Sequence, residues 1–177
     1  VLERSVKVPE GVELQRFLDS GYPRSDTGIA QFAEAHPSAE IAQCIEWGKG
    51  VNELIAWMVH GCAPFPGARE AIEAMQADVD CMTVSATPME ALEREWHEHD
   101  LAKYMKVVAG QEMGSKAQHV HWAAKGKYDD DHIMLIGDAP GDRDSAFSEG
   151  VLFYPIMPGS EAESWRRFRE EALPKFL

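Results

Sequence analysis

The stretch HIMLIGDAPGDRDSAF, residues 132–147, is apolar for one short strand length and then sets Asp138, Asp142 and Asp144 close together. Pro140 and Gly141 occupy the two central positions between Ala139 and Asp142, a pattern that predicts a type II turn folding Asp142 back toward Asp138. Two carboxylates about 4 Å apart repel by roughly 4 kcal/mol at an effective dielectric near 20, and a divalent cation between them reverses that cost. The pair therefore reads as a Mg²⁺ site. Capping of a helix that starts near residue 143 accounts for Asp142 or Asp144 singly, but not for Asp138 and Asp142 together.

Two further side chains suit an anionic ligand. Ser85 ends the run Cys81-Met82-Thr83-Val84-Ser85, and the residues after it predict a capping box with Thr87 as N-cap, Pro88 first in the helix and Glu90 reaching back. That leaves the Ser85 hydroxyl spare to bond an anionic oxygen. Ser115 and Gln118 predict a second capping box, which places Lys116 in the first turn of its helix. A lysine there opposes the helix dipole by roughly 0.3–1 kcal/mol, and the placement becomes favourable when an anion binds between the ammonium and the helix N-terminus. Taken alone, Ser85 also reads as an ordinary strand-end serine and Lys116 as a solvated surface lysine.

These residues need elements to hold them. Residues 9–60 are helical in pattern, with Ile41, Ile45, Val51, Leu54, Ile55 and Met58 near 3.6-residue spacing, and Trp47, Trp57 and Met58 read as core of that layer. APFPG, residues 63–67, stops helices and redirects the chain, so the expected division is a helical region 1–62 and a second domain 63–177. Beyond it, helices (67–77, 88–99, 115–124, 143–149, 161–172) alternate with short apolar runs (81–85, 106–109, 132–137, 151–156). The alternation predicts an α/β fold, a Rossmann-like parallel sheet with helices on both faces plus a small all-helical cap. In such sheets ligands sit beyond the carboxyl ends of the strands, where Ser85, Lys116, Asp138 and Asp142 all fall.

Composition narrows the partners. The formal net charge of -13 over 177 residues disfavours nucleic acid and anionic membranes, so an anionic ligand needs a local device such as Lys116. No stretch approaches the roughly 20 apolar residues of a membrane span, and the N-terminus lacks a signal-peptide layout. Cys44, Cys62 and Cys81 have no metal or redox spacing, so a reducing cytoplasm fits best. The histidine pairs His97/His99 and His119/His121 are two apart, on opposite sides of a helix, and read as solvated or half-buried rather than as zinc ligands. GQEMGSK lacks the glycine spacing and the lysine position of a P-loop.

VSATP after a strand, GSKAQHV opening a helix and LIGDAPGD after a strand resemble motifs II, III and IV of the haloacid dehalogenase (HAD) superfamily, and PFPGAREAIEAM resembles the return to the core after a C1-type helical cap. The resemblance covers residues 61–158, and residues 1–60 only by their helical character. It implies Mg²⁺-dependent, phosphatase-type transfer through an aspartyl-phosphate on a small phosphorylated metabolite. It further implies that Ser85 and Ala86 bind a phosphoryl oxygen, that Lys116 neutralises phosphate and nucleophile, and that Asp138 and Asp142 hold Mg²⁺, Asp142 directly or through water. The family's first motif, an Asp-x-Asp after an apolar strand, is missing. Asp78-Val79-Asp80 precedes its strand, and Asp78 would lie about 23 Å from Ser85 along an extended chain. The expectation is therefore that the nucleophile belongs to an N-terminal segment lacking here, a reading that the Val1 start favours, and that this chain alone is inactive. The alternative is a non-catalytic phosphate- or Mg²⁺-binding module of the same architecture.

Overall fold

A computed structural model describes residues 10–177, which divide into two compact units, one ending at His60 and the other beginning at Gly61. No helix among the described residues is long and apolar enough to cross a membrane.

The first unit is helical: α1 (Val12–Leu18), α2 (Asp26–Ala35) and α3 (Ala39–Met58). Ser25 and Ser38 cap α2 and α3, accepting the amides of Gly28 and Ile41 at 3.2 and 3.1 Å. Glu40 accepts the Leu14 amide at 2.8 Å and so satisfies a first-turn donor of α1. The core is Phe17, Phe32 and Ile41, with the two phenyl rings edge to face at 5.4 Å. Here the expected core needs correcting. Trp47, Trp57 and Met58 are 72%, 75% and 58% exposed; α3 gives that core Ile41 and Ile45 near its start, Trp47 lies on the other side of the helix from Ile45, and Trp57 and Met58 lie at the far end of α3.

The second unit is mixed α/β. In order it contains α4 (Ala68–Met75), β1 (Met82–Val84), α5 (Met89–Glu98), β2 (Val107–Ala109), α6 (Lys116–Ala124), β3 (Met134–Gly137), α7 (Pro140–Ser148), β4 (Leu152–Pro155) and α8 (Glu161–Arg167). A π-helical turn, Phe168–Ala172, and α9 (Leu173–Phe176) complete it, so the single helix expected over 161–172 is broken at Phe168. That ring is 1% exposed and packs edge to face on Tyr154 at 5.1 Å. The four strands do not form the one sheet the alternation predicts. β1 pairs in parallel with β2, β3 in parallel with β4, and the two pairs are separate.

Both faces of the paired strands are nevertheless covered. Met134 and Ile136 of β3 join a cluster with Ala71, Ile72, Met75, Cys81 and Phe168, while Ile133 and Leu135 join Val120 of α6, Ala146 of α7 and Val84 of β1. Alternate residues thus enter opposite apolar layers, as the pleat requires. Gly110 follows β2 because a Cβ there would meet the Met89 backbone at 2.8 Å. Glycine lets the start of α5 lie directly against the loop after β2.

Candidate functional site

Two of the three loops beyond the strands are tied together. After β1, the Ser85 amide still bonds Ala109 of β2 at 2.9 Å, while the Ser85 hydroxyl accepts the Thr87 amide at 3.1 Å. The expected Thr87 cap does not form. Pro88 is the N-cap, with extended backbone and no side-chain bond, and the Met89 amide is instead satisfied by the Glu112 carboxylate at 3.0 Å. Gln111 donates its amide to the Thr87 carbonyl at 3.0 Å, so the loops after β1 and β2 are bonded to each other. Ser85 therefore has a structural role that its sequence position does not show. Its hydroxyl proton stays available, because in the bond to Thr87 the oxygen is the acceptor. Ala86 is exposed beside it.

The Ser115–Gln118 capping box forms as the residues predict: Ser115 Oγ accepts the Gln118 amide at 3.3 Å and Gln118 Oε1 accepts the Ser115 amide at 2.9 Å. Lys116 opens α6, and its ammonium is ion-paired with Asp142 Oδ1. This partner changes the reading of Lys116. Its unfavourable position at a positive helix end is offset by a carboxylate of the chain itself.

At the end of β3 the three aspartates separate by role. Pro140 and Gly141 do not form a type II turn; Pro140 is the first residue of α7, where its missing N–H costs nothing and its fixed φ suits the helix. Asp142 is then the third helical residue, and its Oδ2 accepts the Ala139 amide at 3.1 Å. It is 3% exposed, with both oxygens occupied by Ala139 and Lys116. Asp144 pairs with Arg143 at the surface. Asp138 is exposed and makes no ion pair or side-chain hydrogen bond among the described residues. The crowding of negative charge at this strand end is thus relieved by Lys116, Arg143 and water. Gly137 is part of the arrangement, since a Cβ there would fall on the Asp142 side chain.

The structure therefore brings Lys116 and Asp142 together, with Ser85 and Asp138 each directly following its strand, β1 and β3. No group of three or more His, Cys, Asp or Glu side chains converges as a metal cage among the described residues. Asp142 is committed to Lys116, which leaves Asp138 as the accessible carboxylate. Of the two carboxylates expected to hold Mg²⁺, Asp138 is thus open to a ligand, while Asp142 has both oxygens bonded within the protein. Surface hollows of about 410 and 390 Å³ lie beside the segment leading into β2 and the turn leading into β3, and neither includes Ser85, Lys116, Asp138 or Asp142.

His119 corrects the reading of the histidine pairs. It is 3% exposed on α6, one turn beyond Lys116, and neither ring nitrogen has a hydrogen-bond partner of good geometry. Burial pushes it below the ordinary histidine pKa, with the Met113 backbone pulling weakly the other way. His121 is exposed and bonds Glu149 at 3.0 Å. The 3.6-residue period through Lys116 and Val120 was the signal that places His119 inward. At the opposite strand ends, Asp80 accepts from the Tyr128 hydroxyl at 2.6 Å and lies 3.6 Å from Lys106. No family model, curated protein or solved structure matches this chain.

Proposed function

We propose that the carboxyl ends of β1, β2 and β3 form the phosphate site of a HAD-like, Mg²⁺-dependent phosphatase-type hydrolase acting on a small phosphorylated metabolite in the cytoplasm. The observation that carries this reading is the Lys116–Asp142 pair: a half-buried cation at the N-terminus of α6, joined to a buried carboxylate at the end of β3. The sequence resemblance and the accessible Asp138 add to it. The reducing compartment is supported by three unpaired thiols, Cys44, Cys62 and Cys81.

A phosphoryl group at this edge meets the Lys116 ammonium, which exchanges one of its three donors from Asp142 to a phosphoryl oxygen. The Ser85 hydroxyl donates to a second oxygen, while its own oxygen stays held by the Thr87 amide. The amides at the start of α6 add their partial positive charge. Asp138 and, through water, Asp142 would hold Mg²⁺, which supplies charge neutralisation on the transferring group. The attacking carboxylate belongs to none of these roles. Asp142 is bound to Lys116, Asp144 to Arg143, and Asp80 sits at the far strand ends with Tyr128. We assign the nucleophile to a segment outside residues 1–177, and a covalent aspartyl-phosphate forms on it when it is present.

The test uses residues 1–177 with p-nitrophenyl phosphate or acetyl phosphate and Mg²⁺. The expected result is no turnover, together with thermal stabilisation by phosphate or vanadate that Lys116→Ala weakens. Turnover by a homogeneous preparation of this chain would contradict the assignment of the nucleophile. An anion response untouched by Lys116→Ala would contradict the phosphate site. Anion binding that persists without turnover in the complete polypeptide would favour the non-catalytic binding module.

A further inference from the structure

The second half of α3 presents an apolar face that nothing among the described residues covers. Trp47, Leu54, Ile55, Trp57 and Met58 are each between 39% and 75% exposed. Taking about 150–250 Å² for a large side chain, they leave on the order of 600 Å² of apolar surface in water, the upper end for the largest patch on a monomer. Between Trp47 and Met58 the charged residues are Lys49 and Glu53, one of each sign and one turn apart. A helix lying in an anionic membrane surface instead carries a polar face rich in Lys and Arg. The face is therefore built for protein.

The spacing says which protein. Trp47, Val51, Leu54 and Met58 are separated by four, three and four residues, the period of a coiled-coil seam. Val51 and Met58 then take position a and Trp47 and Leu54 position d, with Gly48 and Ile55 at e and Gly50 and Trp57 at g. None of these eight positions is charged. Two such helices placed antiparallel about a two-fold axis between Asn52 and Glu53 set each a residue against a d residue. Val51 then meets Leu54 of the second copy, and Met58 meets its Trp47. The same register sets e beside e and g beside g, so that Ile55 lies over Gly48 of the second copy and Trp57 over its Gly50.

The two glycines single out this pairing. Glycine inside a helix is less favourable than alanine, and nothing among the described residues requires it at either position. A Cβ at Gly50 would meet nothing within 4 Å, and one at Gly48 would meet Asp26 Oδ1 at 3.8 Å, an ordinary contact. Both glycines lie within α3, so neither marks its end. Each leaves a recess on the exposed side of the helix, opposite the bulky side chain that the two-fold register brings to it.

We propose that this chain forms a homodimer through the second half of α3, the two helices antiparallel about a two-fold axis, with Ile55 and Trp57 of each copy seated on Gly48 and Gly50 of the other. Two faces of this size bury about 1,200 Å² together, the lower end of the range for specific interfaces. The contact is isologous and closes at two copies. It rests on α3 alone and is independent of phosphate chemistry.

The test is sedimentation velocity of residues 1–177 under reducing conditions, from about 1 to 100 µM, where an interface of this size dissociates measurably. The expected result is a monomer–dimer equilibrium. Leu54→Glu, at an exposed position in the centre of the seam, weakens it by about 100-fold or more without lowering the thermal midpoint of the monomer. Gly50→Gln fills the recess for Trp57 and weakens dimerisation by about 10-fold or more, although the same change favours the isolated helix. A monomer at every concentration would overturn the proposal, whether the face is bare or covered by another part of the chain. A dimer that survives Leu54→Glu would place the contact elsewhere and overturn it. A dimer sensitive to Leu54→Glu but indifferent to Gly50→Gln would overturn the register, and association continuing past two copies would overturn the two-fold pairing.

Discussion

Replacing Lys116 by Met keeps the aliphatic stem and removes the charge, and the structure sets what that costs. The Asp142 side chain is 4% exposed and that of Lys116 28%, so the pair is largely withdrawn from water. Removing one partner of a buried pair typically costs about 3–5 kcal/mol, against roughly 0.2–1 kcal/mol for an exposed pair. Two effects reduce the figure here. Asp142 keeps the Ala139 amide and a favourable place in the first turn of α7, and the repulsion between Lys116 and its own helix dipole, about 0.3–1 kcal/mol, disappears. The expected net loss is about 2–3 kcal/mol, which lowers a urea midpoint by about 1–2 M for an m-value near 1.5–2 kcal/mol/M. In an Asp142→Asn background, where no buried charge is left stranded, the same Lys116→Met change costs little, giving a coupling energy of about 2 kcal/mol. The assay is urea unfolding of the four proteins of this cycle, followed by circular dichroism. A single-variant loss under about 0.5 kcal/mol, or a coupling near zero, would refute the pair and the account of why Lys116 tolerates its helix end.

Three further outcomes follow from the same geometry. Gly137→Ala puts a Cβ where the Asp142 side chain lies, so it should cost about 1–3 kcal/mol in urea unfolding and sharply reduce the Lys116–Asp142 coupling measured in that background. His119 titrates below its ordinary value of 6.5 because burial disfavours the imidazolium, so below about pH 6.5 the unfolded chain takes up a proton that the folded chain resists. Its contribution is present above that pH and is lost as pH falls toward the folded pKa. Urea midpoints at about pH 7 and pH 5.5 should diverge more in the wild type than in His119→Gln. Asp138→Asn, at an exposed position with no partner among the described residues, should shift stability by less than about 0.5 kcal/mol while abolishing Mg²⁺-dependent turnover in the complete polypeptide, as read by urea unfolding and p-nitrophenyl phosphate hydrolysis.

What could be read from the residues was local. The Ser115–Gln118 box sits within one helical turn, and the four apolar runs declare themselves by β-branched content and by the helices between them. Where two local solutions compete, the reading fails. Pro140-Gly141 suits a type II turn and a helix start equally, and the choice is made by Asp142, which gains the Ala139 amide and Lys116 only in the helix. The partner of Lys116 is 26 residues away, so nothing in its neighbourhood announces it. Glu112 satisfying the Met89 amide across 23 residues is equally silent and displaces the expected Thr87 cap. Trp47 falls two residues from Ile45, on the other side of α3, and Trp57 lies twelve residues beyond Ile45, where α3 adds nothing to the core around Phe17, Phe32 and Ile41, so apolar type alone misplaces both.

The central claim is that the carboxyl ends of β1, β2 and β3 bind phosphate. An NMR titration of ¹⁵N-labelled residues 1–177 with inorganic phosphate in the presence of Mg²⁺ reads this residue by residue. The account predicts saturable shifts at the amides of Ser85, Ala86, Lys116, Asp138 and Ala139, lost in Lys116→Met. Absence of saturable shifts at those five amides, or a response confined to other helix starts such as that of α8, would contradict it.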